Sequence, residues 1–290
     1  MFAQQILNGL IVGSIWSLVA IGFTMVYGII RLMNFAHGDI YMMGAFFALS
    51  MIKVGKLSLP FALILSIAGT CILAVIIAAV GYRPLFNKSK VSLWLVAVGV
   101  SIFLENIAIV LWGAQTQPFP YKFEEVRFNI GGLSINSLQL YVMLTALVLM
   151  AGLHILVTYT KPGRAMRAVS QDLIAANLMG VNINRIIYFT FAVGAFLAAV
   201  GGILVGMYYN VVYPMMGYRA CLIAFCAAVI GGIGSLPGAM VGGIILGLVE
   251  VLGAAYISAG WRDGFAFLVL IIVLLIKPSG LFIKEKPTKV

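Results

Sequence analysis

The chain has 290 residues, 63% of them hydrophobic and only 9% charged, whereas a soluble domain carries about 25% charged residues. That deficit excludes an ordinary soluble domain. The net charge of +10 does not mark a nucleic-acid-binding face, because the basic residues are scattered over short loops between apolar runs and read as topology signals.

The apolar runs reach roughly 20 residues, the length a helix needs to cross a hydrocarbon core. They lack the short alternating strands of a membrane β-barrel. The expected fold is therefore an all-α, polytopic membrane bundle forming one permease-sized domain over 1–290. In chain order, strong spans are expected at 6–30, 57–82, 91–113, 137–159, 186–209, 238–257 and 261–277. The first run is too long for a cleavable signal, and no basic segment precedes it. Two weaker stretches, 35–54 and 217–235, are interrupted by Gly and polar residues, so they either span or are broken or re-entrant. Seven to nine crossings result, with the same two ends in either case.

With the N-terminus outside, the inner loops and tail hold 12 basic residues: Arg31, Arg83, Lys88, Lys90, Lys161, Arg164, Arg167, Arg185, Lys277, Lys284, Lys286 and Lys289. The outer loops hold 6: Lys53, Lys56, Lys122, Arg127, Arg219 and Arg262. The inner excess supports an outside N-terminus and a cytoplasmic C-terminus. Residues 114–135, with Pro118, Pro120, Glu124 and Glu125, form an outer loop. Residues 160–185 form a cytoplasmic loop, and 278–290 a basic cytoplasmic tail.

The segment Asn34-Phe35-Ala36-His37-Gly38-Asp39 is the densest polar cluster within membrane reach. It forms either an inner-boundary loop or a broken helix that lines a path. Glu105 and Glu250 lie within apolar spans, where a carboxylate costs about 2.5–3.5 kcal/mol on insertion scales. Both are expected to face the interior, with Asn106 available to Glu105, in a hydrogen-bonding or a pathway role. A glutamine is expected to replace either with little loss. His154 and the cysteines Cys71, Cys221 and Cys226 read as packing residues. Pairs of small residues (Gly9/Gly13, Gly202/Gly206, Gly238/Gly242, Gly243/Gly247) let helices approach closely, within the subunit or at an interface.

Catalytic signatures are lacking. Two histidines far apart, and no HExxH, GxSxG or Cys/His cluster, give neither an enzyme nor a metal site, and no P-loop is present to bind ATP. On the inside loop, Pro162-Gly163 opens a short helix. Arg164 and Arg167 share a face with Gln171, and Ala165, Ala168, Ala175 and Ala176 keep the helix slim. It suits a groove on a soluble partner or, alternatively, an anionic lipid surface.

Three ordered motifs then bear a resemblance. Asn34-Phe-Ala-His-Gly-Asp-Ile-Tyr-Met-Met-Gly44, Gly163-Arg-Ala-Met-Arg-Ala168 with Gly180-Val-Asn182, and Gly231-Gly-Ile-Gly-Ser-Leu-Pro-Gly-Ala-Met-Val-Gly-Gly243 resemble branched-chain amino acid ABC transporter permeases of the LivH type, over almost the whole chain. The resemblance implies an importer of leucine, isoleucine and valine across the inner membrane. Urea or short-amide permeases are the similar alternative, and a self-sufficient channel or secondary transporter the rival class. It also implies partners: a second related permease subunit, two ATPase subunits that bind ATP and Mg, and a periplasmic binding protein. The coupling segment falls on Gly163 to about Gly180, including Arg164, Arg167, Ala168, Asp172 and Ala176. The pathway candidates are Asn34, His37, Gly38, Asp39, Glu105, Asn106 and Glu250.

Overall fold

In a computed structural model the chain is described except for residues 31–32, 87, 122–125, 131–132 and 283–290. Eleven α-helices make up the described residues, with one small hairpin. The seven strong spans appear as α1 (Phe2–Ile30), α3 (Leu59–Ile77), α4 (Lys90–Trp112), α5 (Ser137–Tyr159), α8 (Ile183–Tyr209), α10 (Leu236–Tyr256) and α11 (Arg262–Ile276). Seven helices among the described residues are long and apolar enough to cross a membrane, the last of them counted from the short 3₁₀ turn before α11. The weaker stretches are continuous helices, α2 (Ala36–Lys53) and α9 (Met216–Gly231). At 16 residues α9 is about 24 Å long, short of the ~30 Å core. The loop at 160–185 carries two helices rather than one, α6 (Lys161–Gln171) and α7 (Leu173–Leu178). The loop after α4 carries an unexpected antiparallel hairpin, β1 (Arg127–Ile130) with β2 (Leu133–Asn136).

Helix α1 is continuously buried from Ile11 to Val26 and forms the axis of the bundle. Its glycines explain how. Gly9 and Gly13 sit against the backbone of α10, while Gly243 and Gly247 of α10 sit against Ser17 and Gly13 of α1. On the adjoining face of α10, Gly238 and Gly242 abut the backbone of Gly231 and Ala227 in α9. Gly202 of α8 presses on the Tyr41 carbonyl of α2, and Gly206 on Phe119 and Val212. These small-residue pairs are packing seams within one subunit. Helices α3, α4, α5 and α11 lie at the periphery and expose Ile64, Val110, Leu147, Leu275 and similar side chains, as a lipid-facing surface requires.

One end of the bundle is closed by polar ties. Gln4 of α1 exchanges two 2.9 Å hydrogen bonds with the Ser134 backbone of β2. Lys53 at the end of α2 donates to Gln117, whose backbone pairs with Val212 after α8. At the opposite end, Leu281 N–H donates to the Ile230 carbonyl near the end of α9. Arg31, Lys122, Glu124, Glu125 and the lysines at 284, 286 and 289 lie outside the described residues.

Candidate functional site

Helices α2 and α9 begin inside the bundle. The first turn of α2 packs on Gly22 and Gly194, which lie well within α1 and α8, through the His37 ring. The first turn of α9 meets it there, with Gly38 against the Gly217 carbonyl. Both approaches need glycine, since a Cβ at either position would strike backbone or carboxylate atoms. Asn34, His37 and Asp39 are each no more than 2% exposed. The polar cluster is thus a deep junction of helix N-termini, not a loop at a membrane boundary. Asn34 Oδ1 accepts a 2.6 Å hydrogen bond from the Tyr82 hydroxyl, tying the junction to the π-helical turn Ala78–Tyr82 that ends α3. Among the described residues, His37 Nε2 has no hydrogen-bond partner and neither Asp39 carboxylate oxygen has one at full hydrogen-bond geometry, although the Ser101 side chain lies close enough to Asp39 to donate to it. A buried polar group in that state calls for an explanation.

Glu105 lies on α4 within electrostatic reach of Asp39, as does Ser101. It is half-buried rather than interior. Asn106 does not serve it: the Asn106 amide donates 2.7 Å to the Ile102 carbonyl of its own helix and is exposed. The expected Glu105–Asn106 pairing is therefore absent, because adjacent positions on a helix point about 100° apart.

Glu250 belongs to a different cluster. It is 2% exposed and lies in the last two turns of α10. It accepts 2.7 Å from Trp16 Nε1 and 2.8 Å from Arg219, with Arg262 at 3.3 Å. Asp263 takes the other side of Arg219 at 2.8 Å. Four helices, α1, α9, α10 and α11, are joined by this one network. Arg219 and Arg262 border a cavity of about 360 Å³ walled by Trp16, Tyr41, Tyr209 and Tyr213. Counting Arg219 and Arg262 only as loop charges missed it. The signal was present: Arg219 stands alone in an apolar stretch, and so does Glu250, and lone opposite charges in apolar runs seek each other.

At the α6–α7 end, each motif residue has a structural job. Thr160 caps α6 by accepting from Gly163 N–H at 3.2 Å, and Gly163 lies against the Leu156 and Val157 backbone with no room for a side chain. Asp172 breaks α6 from α7 and caps α7, accepting from Ile174 and Ala175 N–H at 2.8 and 3.0 Å. Gly180 takes φ +81° after α7, the left-handed helix end glycine favours. Arg167 donates to the Thr158 carbonyl at 3.0 Å, while Arg164 is exposed. Ala168 and Ala176 face the protein, half-buried and buried. The outermost side chains are large and apolar: Ile174, Leu178 and Met179 are 74%, 81% and 84% exposed.

Residues 5–274 match the family model described as branched-chain amino acid transport system / permease component. The chain belongs to that family. Its sequence is 40% identical to the high-affinity branched-chain amino acid transport system permease protein LivH of Salmonella typhimurium, over 100% of this chain and 98% of that protein. The same identity and coverage hold for BraD of Pseudomonas aeruginosa. Among solved structures, PsaBC from Streptococcus pneumoniae in complex with Fab aligns with a TM-score of 0.56 at 13% identity, covering 96% of this chain and 97% of that one, a likeness of fold. Family membership makes the chain a multi-pass transport subunit, not an enzyme, that works in a complex with ATPase and binding-protein partners.

Proposed function

We propose that the chain is a permease subunit that carries leucine, isoleucine and valine across the inner membrane by alternating access, paired with a second related permease. Two ATPase subunits using ATP and Mg drive it, and a periplasmic binding protein delivers the amino acid. The observation that carries this reading is the full-length match to branched-chain amino acid permeases. Nucleotide shifts the outward–inward equilibrium only through a difference in affinity for the two states, so the permease needs a rigid contact with the ATPase. Helices α6 and α7 supply it. Met166 and Val169 anchor α6 to the bundle, and Ile174, Leu178 and Met179 project from α7 as an apolar knob that fits a groove in a soluble partner.

Purified transporter in liposomes, with binding protein and ATP, is expected to accumulate leucine, with isoleucine and valine competing and urea not. Uptake of urea and not leucine would move the chain to the similar alternative class. Ile174→Asp with Leu178→Asp is expected to leave membrane abundance unchanged. It should cut co-purified ATPase about tenfold or more, because each buried apolar side chain contributes about 1.5–3 kcal/mol. Unchanged co-purification would remove α7 as the docking element.

A further inference from the structure

We propose that Asp39 and Glu105 form the site in this permease that receives the α-ammonium group of the transported amino acid, a proposal that rests on the functional reading above. A cavity of about 320 Å³ lies between α4 and α9. That is the small end of ligand pockets, which run about 300–1,000 Å³, and suits a single amino acid. Its polar lining includes Ser101, Glu105 and Cys221, and its apolar wall includes Phe35, Ile102 and Met215. Asp39 sits directly behind that polar edge, within electrostatic reach of all three polar residues.

The charges set this site apart from the other membrane-embedded acid. Glu250 has two guanidiniums and an indole N–H. Among the described residues, neither Asp39 nor Glu105 has a cation within ion-pairing distance. Asp39 is 1% exposed, and among the described residues neither of its oxygens has a partner at full hydrogen-bond geometry, the Ser101 side chain being the one donor near it. It is held against the first turn of α9, where a methyl added to Gly217 would come within 2.5 Å of Asp39 Oδ1. The positive end of that helix offsets part of its charge but donates no hydrogen bond to it. A carboxylate buried behind a second one, with no cation paired to either, is costly unless it takes up a proton or a cation arrives. A primary ammonium supplies that cation and three N–H donors, and the neighbouring Phe35, Ile102 and Met215 accept a branched aliphatic side chain.

The test uses the assembled transporter in liposomes, with Cys71, Cys221 and Cys226 changed to Ala and with Ser101→Cys as the single thiol. Modification is followed with a cationic and an anionic methanethiosulfonate reagent, each scaled to its rate with a free thiol. The cationic reagent is expected to react about tenfold or more faster. Glu105→Gln should shrink that preference, and Asp39→Asn with it should abolish it. Leucine and 3-methylbutylamine, which shares its ammonium, should slow the cationic reagent, while 4-methylpentanoate, which has none, should not. Equal scaled rates, or protection by the carboxylate and not the amine, would overturn the proposal. Leucine uptake by the unmodified transporter is measured alongside. No uptake counts against the functional reading, whereas uptake without cationic preference counts against this site alone.

Discussion

Glu250 shows how much a single contact changes the meaning of a residue. In an apolar run, a carboxylate needs only some hydrogen-bond donor, and a glutamine there looks harmless. Once Arg219 and Arg262 close on it, the carboxylate is the anion that allows two guanidiniums to sit at the bundle's edge. Glu250→Gln keeps the indole hydrogen bond but leaves a net positive cluster. It is expected to destabilise the subunit by about 3 kcal/mol, the low end for a broken buried pair because Arg219 is itself partly exposed. Arg219→Gln in the same chain should recover part of that loss. Thermal unfolding of the two variants in detergent checks this, and additive losses would show that the pair is not coupled. Among the described residues Glu105 has no such partner, so Glu105→Gln is expected to leave the melting temperature unchanged while weakening the cation site.

Among the elements, the α1–α10 pair is fastened by glycine. A Cβ on Gly247 would press into the Gly13 backbone, and one on Gly243 into Ser17. Separating two helices that share so long a seam sacrifices dispersion contacts along its length, and dispersion rather than water exclusion holds helices together in lipid. Gly247→Ala is expected to cost about 1–3 kcal/mol through overpacking. Gly99→Ala and Gly152→Ala, whose surroundings are open, should be neutral or gain up to about 1 kcal/mol of helix propensity. Detergent stability of the three variants measures the contrast, and equal effects would remove the seam as the explanation. The α6–α7 pair works by the opposite device. There capping at Thr160 and Asp172 fixes the turns, while the outward face keeps its large apolar side chains unburied. A tryptophan at Ala168 would perturb the bundle beneath it, so the docking test belongs on Ile174 and Leu178.

For the whole molecule, the ties at each end group the loops into two sets. Residues 53–58, 113–121, 126–130, 133–136, 210–213 and 257–261 share one face, and 83–86, 88–89, 160–182 and 277–281 the other. The basic excess belongs to the second set, which is therefore expected to be cytoplasmic. Alkaline phosphatase fused after Gly55 or Gly113 should be active and, after Gly180, inactive, with fluorescent-protein fusions giving the reverse. The converse pattern would invert the molecule and take the α7 knob away from any ATPase.

Spans were legible from composition because crossing a bilayer demands a local property, some 20 apolar residues in a row. The run expected at 137–159 is α5, Ser137–Tyr159, and the others agree to within a few residues. The helix start at Pro162-Gly163 and the family motifs were legible for the same reason: caps and turns are written in adjacent residues. What tertiary structure alone decided was which distant polar residues meet. His37, Asp39 and Gly217 come together because glycines let α2 and α9 begin at the same point inside the bundle. Glu250 finds Trp16, Arg219 and Arg262 across 234, 31 and 12 positions of sequence. Periodicity carries no record of such pairings. They depend on crossing angles and close approaches fixed by where side chains are missing, and so the spans were readable in sequence, while the sites between them depended on packing.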